Sequence, residues 1–359
     1  MDLPLAFPLT PMLAKAHEGL PPGEEGDWWF EPKWDGFRVV VFRDGDEVEL
    51  ASRNGKPLTR YFPEVLDPLR AALPDRAVVD GEIVVPTEDG LDFDLLGQRI
   101  HPAASRIERL AGETPAEVVA FDLVALGDDD LTSTPLSERR AALEEAVSPG
   151  VQVHLNPGTF DRDTAQDWFV RFEGAGLDGV IAKPAESAYA PGERGWMKVK
   201  HKRTADVVVA GYRLHKDGKG VGSLMLGLYD DEGRLHSIGV ASSFKAALRA
   251  ELRKELAPLV LEPGGMGDHP WAEWADPGAH EEGRLPGGGS RWNAGKDLSF
   301  TALRIERVAE VAYERVDHGR FRHTSRFLRW RPDRDTDSCR YDQLEVVPPI
   351  ELSEVLTRT

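Results

Sequence analysis

Apolar and polar positions in the first half of the chain predict short strands separated by helices. FRVVVF (37–42) and VELAS (48–52) flank Asp44-Gly45, a turn signal that predicts a β-hairpin. Further strands are predicted from apolar runs at 77–85, 117–126 and 178–183. These strands mix with helices outside strict βαβ order, so the pattern predicts an α+β domain with antiparallel sheets.

Two helical patterns lie between these strands. SERRAALEEAV (137–147) begins with a serine, which we expect to cap the helix. DTAQDWFVRFEGAG (163–176) offers Asp163 as a candidate N-cap and glycines at its end.

The pattern changes after Arg203. Short strands separated by glycine-bearing turns are predicted at 205–214, 223–230 and 234–243, which is typical of a β-barrel. A helix is predicted over 244–260, because its apolar residues recur every four positions, at Phe244, Leu248, Leu252 and Leu256.

The end of the chain predicts one more strand, at 304–316. Residues 262–290 are rich in glycine and proline and predict an irregular surface insertion. We therefore predict one domain over 1–203 and a second over 204–359.

Composition limits the class of protein. The chain has 359 residues, 41% of them hydrophobic, which is enough to bury the cores of two domains. One cysteine, Cys339, excludes internal disulfides and any cysteine-rich zinc module. No apolar run is long enough to span a bilayer, and the proline-broken N-terminus lacks a basic flank. We expect a cytoplasmic protein that does not bind membranes.

The net charge of −18 argues at first against a nucleic-acid partner. Two stretches are nevertheless dense in basic residues, RGWMKVKHKR (194–203) and HGRFRHTSRFLRWRPDR (318–334). Because contacts to phosphates are local and screened over about 10 Å, a basic track suffices for binding a polyanion.

The stretch EPKWDGFR places Lys33 between a proline and a tryptophan, with Asp35 and Gly36 close behind. Taken alone, such a short motif is better explained by a solvated lysine before a turn. The functional interpretation is a nucleophile that attacks phosphorus, which would require neighbouring cations or a metal to lower the pKa of the amine.

Other charged residues fit this second interpretation. Lys198 and Lys200 stand two apart, so on a strand both point to one face, either as a basic edge or as a phosphate site. Glu82 and Asp178 each lie beside a glycine within an apolar run, and their carboxylates are either surface-facing or ligands for Mg²⁺. Phe121 is either a core residue or a face for a nucleobase.

The order of these elements resembles one superfamily. EPKWDGFR, SRNGK (52–56), DGEIV (80–84), VAFDLVAL (119–126), DGVIAK, WMKVK (196–200) and RFLRWRPDR (326–334) occur in series. The series resembles the covalent nucleotidyltransferases and, in order and spacing, the ATP-dependent DNA ligases. The whole chain is similar to their small two-domain bacterial type, often called ligase C.

The resemblance implies a fold, an intermediate and a set of cofactors. The expected fold is an adenylation domain followed by an OB-fold β-barrel domain with the 262–290 insertion. The expected cofactors are ATP, which leaves AMP covalently on Lys33, and a divalent metal, Mg²⁺ or Mn²⁺. The expected reaction seals nicks that carry a 5′-phosphate and a 3′-hydroxyl.

The resemblance also implies residue roles. The expected catalytic residues are Lys33, Asp35, Lys198 and Lys200. The expected nucleotide-binding residues are Glu31, Arg38, Arg53, Glu82, Phe121, Ile181, Lys198, Lys200 and Arg331, and the expected metal ligands are Glu82 and Asp178. Arg331 and Asp333 would orient the pyrophosphate that departs during enzyme adenylylation, while Arg326 and Arg329 would contact DNA. The family's usual glutamate in the fourth motif is Asp178 here, which shortens its reach by one methylene.

The expected partner is nicked double-stranded DNA, bound by a monomer near the bacterial nucleoid. A repair polymerase or an end-binding protein would be a further partner, and the linker around 201–204 would be a hinge. Three other activities stay open at this point: an mRNA capping guanylyltransferase, an RNA ligase, and a non-catalytic nick-binding protein.

Overall fold

A computed structural model describes residues 1–356, apart from 89, 263–266, 268, 273–298, 318, 346 and 349. The chain divides into two compact units, one of Met1–Lys200 with Val347–Thr359 and one of His201–Val346. Most of the predicted insertion at 262–290 lies outside the described residues. No helix in the described part of the chain is both long and apolar enough to cross a membrane.

Residues 350–356 were predicted to belong to the second domain, but the structure assigns them to the first unit. They pack on the first unit, where Val355 is fully buried in a cluster with Trp168 and Phe172. The backbone N–H of Ile350 donates to the carbonyl of Gly174 at 3.2 Å. The apolar side chains of this segment complete the core of the first unit.

The strands and helices of the first unit are numbered along the chain. Its strands are β1 (Ala14–His17), β2 (Trp28–Pro32), β3 (Phe37–Asp44), β4 (Glu47–Ser52), β5 (Arg76–Val84), β6 (Pro86–Thr87), β7 (Gly90–Leu91), β8 (Glu117–Leu126), β9 (Asp129–Asp130), β10 (Val153–Leu155), β11 (Val180–Pro184) and β12 (Trp196–Val199). The α-helices among the described residues are α1 (Leu66–Ala72), α2 (Phe93–Arg99), α3 (Ala104–Glu113), α4 (Leu136–Ala146), α5 (Arg162–Arg171), α6 (Ala246–Leu256), in the second unit, and α7 (Leu352–Leu356).

Two sheets form the centre of the first unit, in the orders β1-β12-β11-β2 and β10-β8-β5-β3-β4, with β9 beside β8. The predicted α+β class is confirmed, but the sheets are mixed, because β1 runs parallel to β12 and β10 runs parallel to β8. The predicted hairpin is present as β3 and β4, with Gly45 at φ +61° in its turn.

Strand β3 is buried on both faces, which explains its unbroken apolar run. Val39 and Val41 pack in one core, whereas Val40 and Phe42 pack in a second core with Phe121. The second core borders the cavity described below and gives it a rigid wall.

The two predicted helix caps were wrong. Helix α5 begins after Asp161, whose carboxylate accepts hydrogen bonds from the backbone N–H groups of Asp163 and Thr164. Helix α4 begins after Pro135, so Ser137 lies inside its first turn and does not cap it. The backbone N–H groups of Leu136 and Ser137 donate instead to the carbonyls of Ser187 and Ala185, each at 3.0 Å, so these N–H groups have partners without a side-chain cap.

The second unit is an antiparallel sheet. Its strands are β13 (Arg203–Leu214), β14 (Val221–Tyr229), β15 (Leu235–Ser242), β16 (Thr301–Ala302), β17 (Val308–Tyr313), β18 (Val316–Asp317), β19 (Arg320–Phe321) and β20 (Arg326–Trp330). The order is β15-β14-β13-β17-β20, β16 pairs with β13, and β18 pairs with β19. Helix α6 confirms the predicted helix and buries Leu252 and Leu256.

The predicted β-barrel is an open sheet here, since no sheet among the described residues closes. The edge strand β15 meets the segment before β20 only at an isolated bridge between Ala241 and Ser325. One bridge does not make a ladder of hydrogen bonds, so the sheet remains open at this seam.

Candidate active site

A cavity of about 250 Å³ lies in the first unit, beside the loop that joins β2 to β3. The predicted site residues that line it are Glu31, Lys33, Asp35, Arg38, Arg53, Glu82, Phe121, Ile181, Lys198 and Lys200. They come from distant parts of the sequence and from both central sheets. The structure therefore gathers most of the predicted set in one place.

Lys33 is the first residue of the loop, and its backbone is fixed from both sides. Its N–H donates to the carbonyl of Gly179 at 2.8 Å, and its carbonyl accepts from the N–H of Asp178 at 2.9 Å. Gly36 follows in the same loop, where any Cβ would meet the carbonyl oxygen of Ile83. A glycine at this position lets the loop lie directly against β5.

The Lys33 side chain forms an ion pair at the cavity. Its Nζ lies 2.8 Å from Oδ2 of Asp178, and the Nζ of Lys200 lies 3.0 Å from the same oxygen. Burial alone would raise the pKa of Asp178, but the two ammonium groups outweigh it and hold this pKa well below its ordinary value. Asp178 does not itself line the cavity, but it contacts Lys33 and Lys200, which do.

Of the two predicted metal ligands, Glu82 and Asp178, Glu82 is the one that lines the cavity. Burial raises the pKa of Glu82 to about 7, although the positive charges of Arg38 and Lys33 oppose this shift. An enclosed carboxylate of this kind gains from a neighbouring cation, whether a metal ion or a positively charged side chain.

Lys198 lies on β12, and Lys200 directly follows the last residue of this strand. Lys198 pairs with Ile181 in the register of β11 and β12, which brings the basic and apolar parts of the wall together. Both lysines line the cavity with Lys33. These three ammonium groups make the cavity suited to a phosphate-bearing ligand, and a fourth lysine of the lining, Lys183, is paired with Glu31.

Arg38 forms an ion pair with Asp80 through two hydrogen bonds. Its Nε and Nη2 bind the two oxygens of Asp80 at 2.5 and 2.6 Å, and the hydroxyl of Tyr189 donates to Asp80 at 2.6 Å. The guanidinium lies 4.6 Å from the ring centre of Phe121 and 5.1 Å from that of Trp196. Arg38 therefore supports the ring of Phe121 as well as lining the cavity.

A buried cluster around Glu31 was missed from the sequence. The Glu31 carboxylate accepts from Trp29 Nε1 at 2.8 Å and from Asn156 Nδ2 at 3.2 Å, and pairs with Lys183 Nζ at 2.8 Å. Lys183 Nζ also lies 4.6 Å from the ring centre of Phe121.

A sequence signal existed for one member of this cluster. Lys183 stands two residues after Ile181 on β11, so strand alternation puts both on the same face. Burial lowers the pKa of Lys183, and the Glu31 carboxylate opposes that shift. No comparable signal pointed to Asn156, which follows the short strand β10.

Arg331 lies in the second unit, directly after β20. Its Nη1 lies 3.0 and 2.9 Å from the two oxygens of Asp206, and its Nη2 lies 2.7 Å from Oδ2 of Asp333. Arg329, also in this motif, pairs with Glu310 at 2.6 Å. The motif is thus held by carboxylates of its own unit.

Comparisons with known proteins cover both units. A family model described as "ATP dependent DNA ligase domain" matches residues 11–200, and one described as "ATP dependent DNA ligase C terminal region" matches residues 217–334. DNA ligase C of Mycobacterium tuberculosis (strain ATCC 25618 / H37Rv) is 55% identical over 365 residues, covering 99% of each chain. DNA ligase C2 of Mycolicibacterium smegmatis (strain ATCC 700084 / mc(2)155) is 57% identical over 352 residues, covering 97% of each.

Solved structures give a more distant likeness. A structure from a study of Lig E DNA ligases matches with a TM-score of 0.53 and 16% identity, covering 89% of this chain and 99% of that one. At this identity the match supports the fold alone. The relatives named above carry the similarity in sequence.

Proposed function

The chain belongs to the ATP-dependent DNA ligases, and from this premise we propose how its residues join two DNA ends. It is a DNA ligase that uses ATP, as both family models and the relatives over its full length indicate. The capping, RNA-ligase and non-catalytic alternatives have no comparable support. The single observation that carries the residue proposal is the convergence of Lys33, Lys198 and Lys200 on one cavity.

The first step makes a covalent enzyme intermediate. The neutral amine of Lys33 attacks the α-phosphorus of ATP, a nitrogen–phosphorus bond forms, and pyrophosphate leaves with the electrons of the broken oxygen–phosphorus bond. Lys198 and Lys200 bind the oxygens of the α-phosphate, where negative charge increases in the transition state. Arg331 orients the pyrophosphate as it departs, and Asp333 holds the guanidinium of Arg331.

Two further transfers complete the reaction. The 5′-phosphate of the nick displaces Lys33 from AMP, which forms a DNA-adenylate. The 3′-hydroxyl then attacks the 5′-phosphorus of the DNA, closing the backbone and releasing AMP. Each transfer depends on keeping the attacking and leaving groups in line, which favours a rigid cavity.

Nucleotide recognition is divided around the cavity. Phe121 and Ile181 lie against the two faces of adenine, and Glu31 with its backbone neighbours lies at the edge of the base. Asp35, Arg38, Arg53 and Glu82 surround the ribose and phosphate. Trp29, Asn156 and Lys183 together make four contacts with the Glu31 carboxylate. These contacts hold the carboxylate in place before the nucleotide binds.

Hard oxygen ligands in the site suit Mg²⁺ or Mn²⁺. A divalent cation there would neutralise charge on the phosphate oxygens. Glu82 fits it better than Asp178, because the carboxylate of Asp178 is already neutralised by two ammonium groups.

The DNA substrate is a nicked duplex, contacted mainly along its backbone because a ligase must act on any sequence. Basic residues of the 194–203 stretch provide these contacts, and Arg326 and Arg329 add to them. We propose that the enzyme works as a monomer on the bacterial chromosome, in the cytoplasm. A repair polymerase or an end-binding protein is the further partner that we propose.

Sealing of a nicked duplex with ATP tests this proposal. Wild type is compared with Lys33→Ala, and with Lys15→Ala, which removes an exposed lysine of β1 as a matched control. We expect wild type and Lys15→Ala to seal the nick and Lys33→Ala not to seal it from ATP. Sealing by Lys33→Ala at the wild-type rate would overturn the assignment of the nucleophile.

A further inference from the structure

Asn156 joins the two residues that flank the proposed nucleophile. Its Oδ1 accepts a hydrogen bond from Trp34 Nε1 at 2.7 Å, and its Nδ2 donates to Oε2 of Glu31 at 3.2 Å. Trp34 follows Lys33 directly, and Glu31 precedes it by two residues. One amide therefore holds the chain on both sides of Lys33.

The amide itself is held on a rigid element. Asn156 follows β10, and its backbone N–H donates to the carbonyl of Ala120 on β8 at 2.8 Å. Asn156 is 1% exposed and Trp34 is 4% exposed, so water does not compete for these hydrogen bonds. The contact connects the loop of Lys33 to the central sheet.

A side-chain amide satisfies both partners at once. The indole of Trp34 can only donate and an ionised carboxylate can only accept, which also determines the orientation of the Asn156 amide. Aspartate would accept from Trp34 but would repel Glu31, and leucine would bind neither. The residue type is therefore matched to its two neighbours.

We propose that Asn156 is a positioning residue that fixes the line along which the Lys33 amine approaches the α-phosphorus. This rests on the proposed role of Lys33. Asn156 acts through Trp34 and Glu31, and its effect is largest in the transfers in which a bond to Lys33 forms or breaks, because those need the position of the amine as well as the hold on the base. The third transfer forms an oxygen–phosphorus bond between DNA ends and does not use the amine.

The test separates these transfers in the same variants. Asn156→Leu, Asn156→Asp and Trp34→Phe are assayed for single-turnover enzyme adenylylation at saturating ATP. Each is also assayed for sealing a nicked duplex that was adenylated chemically beforehand. Gln152→Leu is the matched control, because it removes a side-chain amide just before β10 that binds only the carbonyl of Ala116.

Adenylylation by Asn156→Leu is expected to fall about 100-fold, the scale of a 1 Å misplacement of a reacting group. Sealing of the pre-adenylated nick, measured at a saturating concentration of the duplex, is expected to fall by no more than about 10-fold, since the third transfer does not need the amine in line. Trp34→Phe should slow adenylylation similarly, and adding it to Asn156→Leu should cost little more, because both remove the same hydrogen bond.

Three outcomes would overturn the inference: unchanged adenylylation in the Asn156 variants, an equal fall in both assays, or the same fall in Gln152→Leu. An equal fall would show that Asn156 supports the cavity in general. If Asn156→Leu does not fold, Asn156→Asp and Trp34→Phe decide by the same two assays. Normal adenylylation of a Lys33→Ala protein would instead refute the proposed function beneath the inference.

Discussion

The amine of Lys33 lies 2.8 Å from Oδ2 of Asp178, an oxygen that also lies 3.0 Å from the amine of Lys200. One carboxylate thus sits between two ammonium groups at the edge of the cavity. A nucleophilic amine must be neutral, so Lys33 has to give up both its proton and this ion pair before it attacks. Asp178 therefore sets the starting position of Lys33.

Replacing Asp178 with asparagine should slow enzyme adenylylation. The variant keeps the shape of the side chain but loses the charge that holds Lys33 and Lys200 in place, and we expect a fall of about 10- to 100-fold. Single-turnover incorporation of labelled AMP measures the rate. Glu117→Gln, which breaks a 2.6 Å ion pair with His154, is the control. Equal rates for Asp178→Asn and wild type would contradict the role.

Glu82 predicts a pH-dependent stability. Burial raises its pKa from 4.5 to about 7, with Arg38 and Lys33 opposing the shift. Because the folded protein binds this proton more tightly than the unfolded chain, the free energy of unfolding falls as the pH rises from about 4.5 to about 7. Above about pH 7 the free energy of unfolding no longer changes with the titration of Glu82.

At pH 8, Glu82→Gln should therefore be more stable than wild type. Its free energy of unfolding should be higher by on the order of 1–3 kcal/mol, and its melting temperature should be higher as well. The difference should vanish near pH 4, where the wild-type carboxyl is protonated in both states. Melting temperatures across this range measure it, with the exposed Glu108→Gln as the control. A constant difference at all pH values would show that the raised pKa is wrong.

The buried pair of Lys183 and Glu31 predicts a coupled effect on stability. Lys183→Met leaves the Glu31 charge buried without its cation, which should cost about 3–5 kcal/mol in the free energy of unfolding. The double variant with Glu31→Gln should recover much of that loss. Denaturant titrations measure both, and the exposed Lys56→Met serves as the control. Strictly additive losses would contradict the coupling.

Arg331 predicts an effect on one step of the reaction. Arg331→Ala should slow enzyme adenylylation about 100-fold, because pyrophosphate loses a cation that stabilises it as it leaves. Sealing of a pre-adenylated nick should remain close to wild type. The control is Arg234→Ala, which removes another arginine of the second unit that pairs with aspartate. Normal enzyme adenylylation combined with slow sealing of the pre-adenylated nick would contradict the assignment of Arg331 to the first step.

Strand alternation made much of the site predictable from the sequence. Lys198 and Ile181 lie on neighbouring strands at paired positions, and the structure brings both to the cavity. The ion pair between Arg38 and Asp80 was not predictable from the sequence. It depends on the placement of β3 against β5, two strands whose local sequences do not encode their register.

Other features escaped because their signals are weak or distant. Helix α7 has five residues and one fully buried side chain, Val355, so it carries no helical periodicity that could assign it to the first unit. Asn156 acts through partners more than 100 residues away along the chain. Whether the second sheet closes or stays open depends on contacts between its edges at β15 and β20, and the patterns of short strands do not specify these contacts.

The covalent adduct on Lys33 is the most direct test of the central claim. Wild type is incubated with ATP labelled at the α-phosphate and a divalent cation, and the labelled peptide is located by mass spectrometry. The proposal predicts one AMP on Lys33, no adduct in Lys33→Ala, and transfer of the label to a nicked duplex. An adduct on another residue, or sealing of nicks without any adduct, would contradict it.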